Sequence, residues 1–271
     1  MQRLILIITG IVAVGLWLVC AALPILLPRL GWEWQPNSIG PWGDTFGALN
    51  AMFSALAFVA VLFTLTQQQK QIDDAATDQH LQRFERTFYE LLRLLREARD
   101  AVEYRYSDQY EGGGREREKD YEAKVWGTEA FKRAQFEMAH WVGVWWKNIN
   151  EPPSSDDLAS LYTRFVHDRY ESTFAPYYRL LYTTLMRIKT DPKLSDEDKN
   201  RYGNLLRSQL TSHEVAMCCY NGLAAVSGSF KQLLTEFRMI KYLPLEFGRD
   251  IFTDHYDPIA FLGRDDAEQK L

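Results

Sequence analysis

The chain has 271 residues, of which 46% are hydrophobic, and a formal net charge of −5. Its mean hydropathy of −0.30 is too low for a polytopic transporter, so any membrane-embedded part must be a minority of the chain. The few charges before residue 67 cancel, so the rest of the chain is acidic, which argues against electrostatic binding of DNA or RNA.

Two apolar segments lie near the start of the sequence. Residues 4–27 contain no charged side chain and exceed the roughly 20 apolar residues that a transmembrane helix needs. A cleaved signal peptide is the alternative, because Cys20, Ala21 and Ala22 resemble a cleavage site. The apolar run continues past them, however, and a second uncharged stretch follows. We therefore predict a transmembrane hairpin over residues 1–66, with spans at about 4–27 and 43–65.

The loop between the two predicted spans indicates their orientation. It contains Trp32 and Trp34, and tryptophan is typical of the membrane–water interface. Its one basic residue is Arg29, whereas the flanking segments carry several: Arg3, Lys70, Arg83 and Arg86. Because positive charge favours the cytoplasmic side, we expect a multi-pass protein with both termini in the cytoplasm.

The second predicted span places small and polar residues on one side of its helix. Gly43, Gly47, Asn50 and Ser54 follow spacings of four, three and four. Small residues let another helix approach closely, and the Asn50 amide can hydrogen-bond across such a contact. Asp44 is expected at the headgroup level, where the helix N-terminus favours a negative charge. This packing seam (Gly43, Asp44, Gly47, Asn50, Ser54) would pack on the first span, or form a homo-oligomeric interface or polar-lined pore.

Residues 67–106 contain no proline or glycine, so the second span is expected to continue as one long connecting helix. Apolar residues alternate three and four apart, at positions 81, 84, 88, 91, 95, 98 and 102. This heptad pattern predicts either a coiled coil or packing within the bundle of the chain itself.

The remaining sequence predicts an all-α fold, with a cytosolic helical bundle at 107–262 and a charged tail at 263–271. The bundle begins with a glycine-rich, charged loop at 107–122. Helices are expected at 128–149, from residue 155 onwards with an interruption near Pro176, and again after 195 and 211. The expected helix N-caps are Ser155, Ser195 with Asp198, and Thr211 with Glu214.

The helix predicted at 128–149 carries a cluster of three tryptophans, Trp141, Trp145 and Trp146. One interpretation is that they belong to the domain core. The other is that this tryptophan patch binds a partner protein or touches the membrane.

No residue pattern predicts an enzyme. Arg207 and His213 have the spacing of the Arg-x4–6-His motif of HEPN ribonucleases, and so do Arg133 and His140. Such a spacing arises readily by chance, so we interpret neither pair as a catalytic site. Acidic residues around His255 are interpreted as turn residues, and the three cysteines lack metal-binding spacing. We expect no cofactor and no metal ion.

Four stretches carry a family resemblance: WGDTFGALNAMFSALAFVAVLFTLTQQQKQI, FERTFYELLRLLRE, YYRLLYTTLMRI with YGNLLRSQLTSHEVAMCCYN, and HYDPIAF. In this order, over residues 40–261, they resemble the AbiC-like family of phage abortive infection proteins. The resemblance implies bacterial antiviral defence at the inner membrane and supplies no catalytic residue. By position, Arg207, Gln209 and Glu214 match the family's Arg-x-Gln-Leu-Ser/Thr-x-x-Glu element, called the family element below.

Three hypotheses follow. In the first, a membrane-anchored antiphage protein senses a phage product or partner through its cytosolic bundle, and its packing seam mediates oligomerisation or membrane disruption. The second is a membrane-tethered HEPN-like ribonuclease that uses Arg207 and His213. The third is a non-enzymatic scaffold that recruits another defence protein through the tryptophan patch. The expected partners are the membrane, further copies of the chain, and a phage or defence protein.

Overall fold

The computed structural model of this chain describes residues 39–110 and 123–263, together with isolated positions between 14 and 31. The described part is mainly helical, in agreement with the predicted all-α class. The chain divides into two units, Met1–Asp74 and Ala75–Leu271. Most of the span predicted at 4–27, of the loop predicted at 107–122 and of the tail predicted at 263–271 lies outside the described residues.

One helix, α1, extends over Ile39–Asp100 and contributes residues to both units. Its described part, Asn50–Asp100, is long and apolar enough to cross a bilayer, with a mean hydropathy of 1.6 over an 18-residue window of which none is buried. No other helix among the described residues meets these criteria of length and composition. The structure therefore contains one candidate span and does not confirm the two-span hairpin.

In the second unit, one face of α1 packs into the domain core. The heptad pattern assigned Leu91 to this face, which was wrong, because Leu92 is buried and Leu91 is half-buried. The buried positions follow the 3.6-residue period of a helix in a bundle, so packing inside the bundle accounts for the pattern. The ring of Tyr202 lies 4.9 Å from that of Phe84. The buried residues of this face are Phe84, Phe88, Leu92 and Leu95.

A short antiparallel pair of strands follows α1. Strand β1 is Glu103–Tyr104 and strand β2 is Val125–Trp126, with Glu103 opposite Trp126. Strands of two residues are too short to give an alternating pattern, so the sequence did not predict them. Because β1 packs on two helices of the bundle, residues 103–104 are held against the core.

The bundle contains seven further α-helices among the described residues. They are α2 Thr128–Ile149, α3 Ser155–Tyr162, α4 Asp168–Thr190, α5 Asp196–Arg207, α6 Ser212–Leu223, α7 Phe230–Glu236 and α8 Arg249–Thr253. A π-helical turn, Thr163–His167, joins α3 to α4. Short 3-10 helices occur at Ala225–Ser227, Leu245–Phe247 and Pro258–Phe261.

Helix α6 is the centre of the bundle. Every residue from Glu214 to Gly222 is buried, and α6 packs on α2, α3 and α7. A helix that is covered on all sides needs no solvent-facing polar side, which explains why this segment is mainly apolar, with Glu214 and Asn221 as buried polar exceptions. The two described cysteines, Cys218 and Cys219, are free thiols buried in this helix, and burial raises the pKa of both.

Local signals account for most of the helix starts, with two corrections. Helix α3 is capped by Ser154 rather than Ser155, through a reciprocal capping box with Asp157. Helix α4 is not interrupted at Pro176, because the irregular backbone lies earlier, in the π-helical turn and at Tyr170 with φ −137° and ψ 24°. The predicted cap residues Ser195 and Thr211 do accept hydrogen bonds from the N3 amides.

Candidate functional site

The described part of the packing seam lies open on α1. Asn50 and Ser54 are exposed, and the space around Gly47 contains no atom within 4 Å of where a Cβ would stand. Gly43 and Asp44 belong to α1, and only their helical backbone is part of the described structure. The seam is therefore a surface without a packing partner among the described residues, and nothing in the structure selects between its predicted roles.

The family element ties several helix ends together. The Arg207 guanidinium, at the end of α5, donates hydrogen bonds to the backbone carbonyls of Phe237 at 3.2 Å and Arg238 at 3.0 Å, just after α7. The backbone carbonyl of Gln209 accepts a hydrogen bond from the Arg99 guanidinium of α1 at 3.3 Å. These contacts fix the connection between α5 and α6 relative to its neighbours.

Glu214, the third residue of the family element, is a fully buried carboxylate at the start of α6. It accepts hydrogen bonds from the Thr211 amide and from the Tyr177 hydroxyl, both at 2.8 Å. The Arg99 guanidinium lies 3.9 Å away. Buried charges are tolerated when they are hydrogen-bonded and paired in this way, so the family element has a structural role in this fold.

The members of the two arginine–histidine pairs make the following contacts in the structure. The Arg207 guanidinium donates to the backbone carbonyls of Phe237 and Arg238. The His213 ring lies edge-on to two other rings, with centroid distances of 5.6 Å to Phe136 and 4.7 Å to Phe247. Burial lowers the pKa of His213. The His140 ring contacts the rings of Trp141 at 5.0 Å and Tyr110 at 4.9 Å. In residues 39–110 and 123–263, no group of three or more potential ligands is placed to hold a metal ion.

The three tryptophans of the tryptophan patch differ in their surroundings. The Trp141 ring stacks on Phe165 with centroids 4.4 Å apart, and its indole N–H donates to the buried Glu137 carboxylate at 3.1 Å. Trp145 is half-buried, whereas Trp146 is 45% exposed. Trp141 therefore belongs to the domain core, and Trp146 belongs to the surface.

The described part of the bundle contains a cleft of about 800 Å³ that the sequence did not predict. It lies between α4, α6 and the segment 226–230. Its walls include a group of aromatic side chains, among them Phe174, Tyr178, Tyr182 and Phe230. We call this space the aromatic cleft. Its volume falls in the range of small-molecule sites, which are apolar clefts with a few convergent polar groups.

Three buried polar side chains line the inner part of the aromatic cleft. The Asn221 amide of α6 donates a hydrogen bond to the Tyr162 hydroxyl at 3.1 Å. The Tyr178 hydroxyl, on a residue that is 6% exposed, has no hydrogen-bond partner and no contact with solvent. Burial, and then the nearby Tyr162 hydroxyl, raise the pKa of Tyr178. Burial is the larger cause of that raised pKa, so Tyr178 stays neutral and can donate a hydrogen bond.

Charged groups line the mouth of the aromatic cleft. Arg179 and Glu171 form an exposed ion pair at 2.9 Å, and His167 lies at the same opening. An unpaired buried hydroxyl costs about 1–3 kcal/mol, so the position of Tyr178 favours a ligand that brings a hydrogen-bond acceptor. No sequence motif predicts this arrangement, because its residues come from segments far apart in the sequence.

Comparisons with known proteins identify one family. The family model described as putative phage abortive infection protein matches residues 169–247, which cover nearly all of α4 and the whole of α5, α6 and α7. Comparisons with curated proteins and with solved structures gave no match. The matched segment contains the family element and the Tyr178 side of the aromatic cleft. Over residues 169–247 the chain is thus a match to the putative phage abortive infection protein family, which confirms the resemblance seen in the sequence.

Proposed function

We propose that this protein is a membrane-anchored antiphage defence protein of the abortive infection type. In this proposal the bundle of the second unit senses a phage product or a partner protein. The packing seam of α1 then mediates oligomerisation or membrane disruption. The family match over residues 169–247 supports the defence role. A multi-pass location in the bacterial inner membrane, with both termini in the cytoplasm, stays a prediction from the sequence.

The observation that carries the membrane step is the exposed apolar surface of α1. All side chains from residue 50 to residue 74 are exposed, and no charged residue occurs from 45 to 69. Apolar surface in water costs about 25 cal/mol per Å², so a helix of this kind needs a cover. The exposed large apolar side chains on this stretch include Met52, Phe53, Leu56, Phe58, Val59, Leu62 and Phe63.

The polar side chains at the end of this stretch are also suited to lipid. The Thr64 hydroxyl donates to the Ala60 carbonyl at 2.8 Å, and the Thr66 hydroxyl donates to the Phe63 carbonyl at 2.7 Å. Each hydroxyl is therefore satisfied by its own helix, as the hydrocarbon core of a membrane requires. The Asn50 side chain makes no such bond with the residues that the structure describes, which leaves its amide available for another helix.

The aromatic cleft is the proposed sensing site. It lies largely within the segment that matches the family, and it holds the unpaired Tyr178 hydroxyl. A ligand with an acceptor for this hydroxyl would change the packing of α4 and α6. Helix α1 packs in the same bundle through Phe84 and Phe88, so such a change could bias α1 and its seam.

The test combines phage plating efficiency with a membrane-potential dye in infected cells. We expect wild-type cells to depolarise before lysis and to block plaque formation. Asn50→Leu should insert normally but neither depolarise nor protect. Met52→Leu, which changes a residue on the opposite side of α1, is the matched control and should behave as wild type. If Asn50→Leu protects as well as wild type, the seam is not the effector.

A scaffold is the second candidate function, and one observation favours it. The end of α2 exposes Trp146 at 45% and Ile149 at 50%, which leaves apolar surface for another protein. If this function is correct, Trp146→Ala will abolish protection, expression of the protein alone will cause no toxicity, and membrane potential will stay unchanged during infection.

A further inference from the structure

We propose that a second, smaller pocket of the bundle binds a phosphate group. This arginine pocket has a volume of about 250 Å³ and lies beside β1 and the π-helical turn. It is separate from the aromatic cleft in its lining residues. The side chains that carry the argument are Arg105, Ser107, Arg164 and Arg169.

The walls of the arginine pocket carry an excess of positive charge. Arg105 is paired with the exposed Asp108 at 3.3 Å, and Arg169 lies 3.7 Å from the buried Glu137 carboxylate. Arg164 has no hydrogen-bond or ion-pair partner among residues 39–110 and 123–263, where its contact is with the Phe165 ring at 5.1 Å. One guanidinium is therefore left to neutralise an anion in the pocket.

A buried hydroxyl supplies the second, independent observation. Ser107 is 9% exposed, and its hydroxyl has no hydrogen-bond partner and no contact with solvent. Its backbone amide is already used, since it donates to the Glu137 carboxylate at 3.0 Å. Buried hydroxyls without a partner are rare in folded proteins, and this one lies in the wall of a pocket with three arginines.

Arg169 is held in place before any ligand arrives. Its guanidinium donates to the Phe165 carbonyl at 3.0 Å and to the Arg105 carbonyl at 2.7 Å, and it lies 5.0 Å from the Tyr170 ring. A side chain fixed by several contacts loses little freedom when it binds an anion. The arginine pocket thus has one rigid and one unpaired guanidinium.

The charge of the pocket lining, three arginines against Asp108, favours phosphate over carboxylate. A carboxylate offers two oxygens, whereas a phosphate or phosphate monoester offers at least three and carries close to two charges at neutral pH. Guanidinium groups form short, bidentate hydrogen bonds with such oxygens. The pocket volume admits one phosphate group but no nucleic-acid duplex, in keeping with the acidic net charge of the chain.

The test is isothermal titration calorimetry on the full chain in detergent, with inorganic phosphate, glycerol 3-phosphate and acetate at matched ionic strength. We expect one saturable phosphate site per chain and no saturable acetate binding. Arg164→Gln should weaken phosphate binding about tenfold or more, because a charge-assisted hydrogen bond is lost. If glycerol 3-phosphate binds more tightly than inorganic phosphate, the ligand is a small phosphate ester. If inorganic phosphate binds more tightly, the ligand is the free ion.

Two further variants test whether the effect is specific to the arginine pocket. Arg86→Gln changes an exposed arginine of α1 that does not line the pocket, and it should leave the affinity unchanged. Ser107→Ala should weaken binding several-fold without lowering the melting temperature, because the hydroxyl has no partner to lose. Absence of phosphate-specific heat, equal affinity for acetate, or an equal loss in Arg86→Gln would overturn the proposal.

Discussion

The hydroxyl of Tyr177 in α4 donates a 2.8 Å hydrogen bond to the carboxylate of Glu214 in α6, and neither side chain is exposed to solvent. Burial, and then the neighbouring Glu214 charge, raise the pKa of Tyr177 well above its ordinary value, so the tyrosine remains a neutral donor. Glu214 belongs to the family element, and this bond shows how that element can be required without taking part in chemistry.

We expect the loss of either partner to destabilise the bundle. Tyr177→Phe removes one donor from a buried carboxylate and should cost about 1–3 kcal/mol. Glu214→Ala also removes the capping box of α6 and should cost about 3–5 kcal/mol. Urea unfolding followed by circular dichroism measures both. Glu90→Ala, which removes an exposed carboxylate paired with Arg93, is the control and should change the unfolding free energy by less than about 1 kcal/mol. Equal effects at positions 90 and 214 would refute the structural role.

The aromatic cleft gives a matched pair of tyrosine variants. Tyr178→Phe removes a hydroxyl without a partner, so stability should stay equal or increase. Tyr162→Phe removes the acceptor of the Asn221 amide and should lower the melting temperature. If the cleft is the sensing site, Tyr178→Phe will lose phage protection while it folds and inserts normally. Full protection by this variant would exclude the Tyr178 hydroxyl from sensing.

Two glycines provide a packing test within the bundle. A Cβ on Gly222 would stand 2.5 Å from the Tyr256 hydroxyl, which itself donates to the Cys219 carbonyl at 2.8 Å. Gly222→Ala should therefore destabilise the protein by about 1–3 kcal/mol. A Cβ on Gly143 in α2 would meet nothing within 4 Å, so Gly143→Ala should be neutral or stabilising by up to about 1 kcal/mol. Thermal unfolding compares the two, and the reverse order would contradict the described packing of α6.

The lowered pKa of His213 predicts that the stability of the protein depends on pH. Burial, and then Lys132, lower the pKa of His213 below its ordinary value of 6.5. The unfolded chain consequently binds more protons than the folded chain as the pH falls through 6.5, so acidification favours unfolding. We expect the urea midpoint to decrease between pH 7.5 and pH 6, and His213→Leu to reduce this decrease. If the slope is the same in the variant, the ring is not buried in the way described.

Sequence reasoning succeeded where the signals are local. The capping box of Thr211 with Glu214 and the long uninterrupted α1 follow from residues close together in the chain. It was less accurate where a periodic pattern had to be assigned to one face, as with Leu91 and Leu92, because positions one residue apart differ by only about 100° around a helix.

The candidate sites depend on contacts that no local pattern contains. Glu137 is a charged residue in a helix, which would ordinarily be assigned to the solvent face, yet it accepts hydrogen bonds from Tyr104 and Trp141 in the core. The aromatic cleft brings Tyr178 and Asn221 together across 43 positions of the sequence. Both arrangements are visible only in the folded bundle, because their residues are distant in the sequence.

The most direct test of the central claim is whether the apolar part of α1 lies in a bilayer. Phe58→Cys and Gln71→Cys, each in a Cys20→Ser background, would be labelled with a membrane-impermeant maleimide in inverted vesicles. The Cys20→Ser parent, which keeps the buried Cys218 and Cys219, gives the background labelling to subtract. The account predicts that Phe58→Cys stays unlabelled until detergent is added, whereas Gln71→Cys reacts at once. Equal labelling of both positions in intact vesicles would show that α1 does not enter the membrane and would contradict the proposed function.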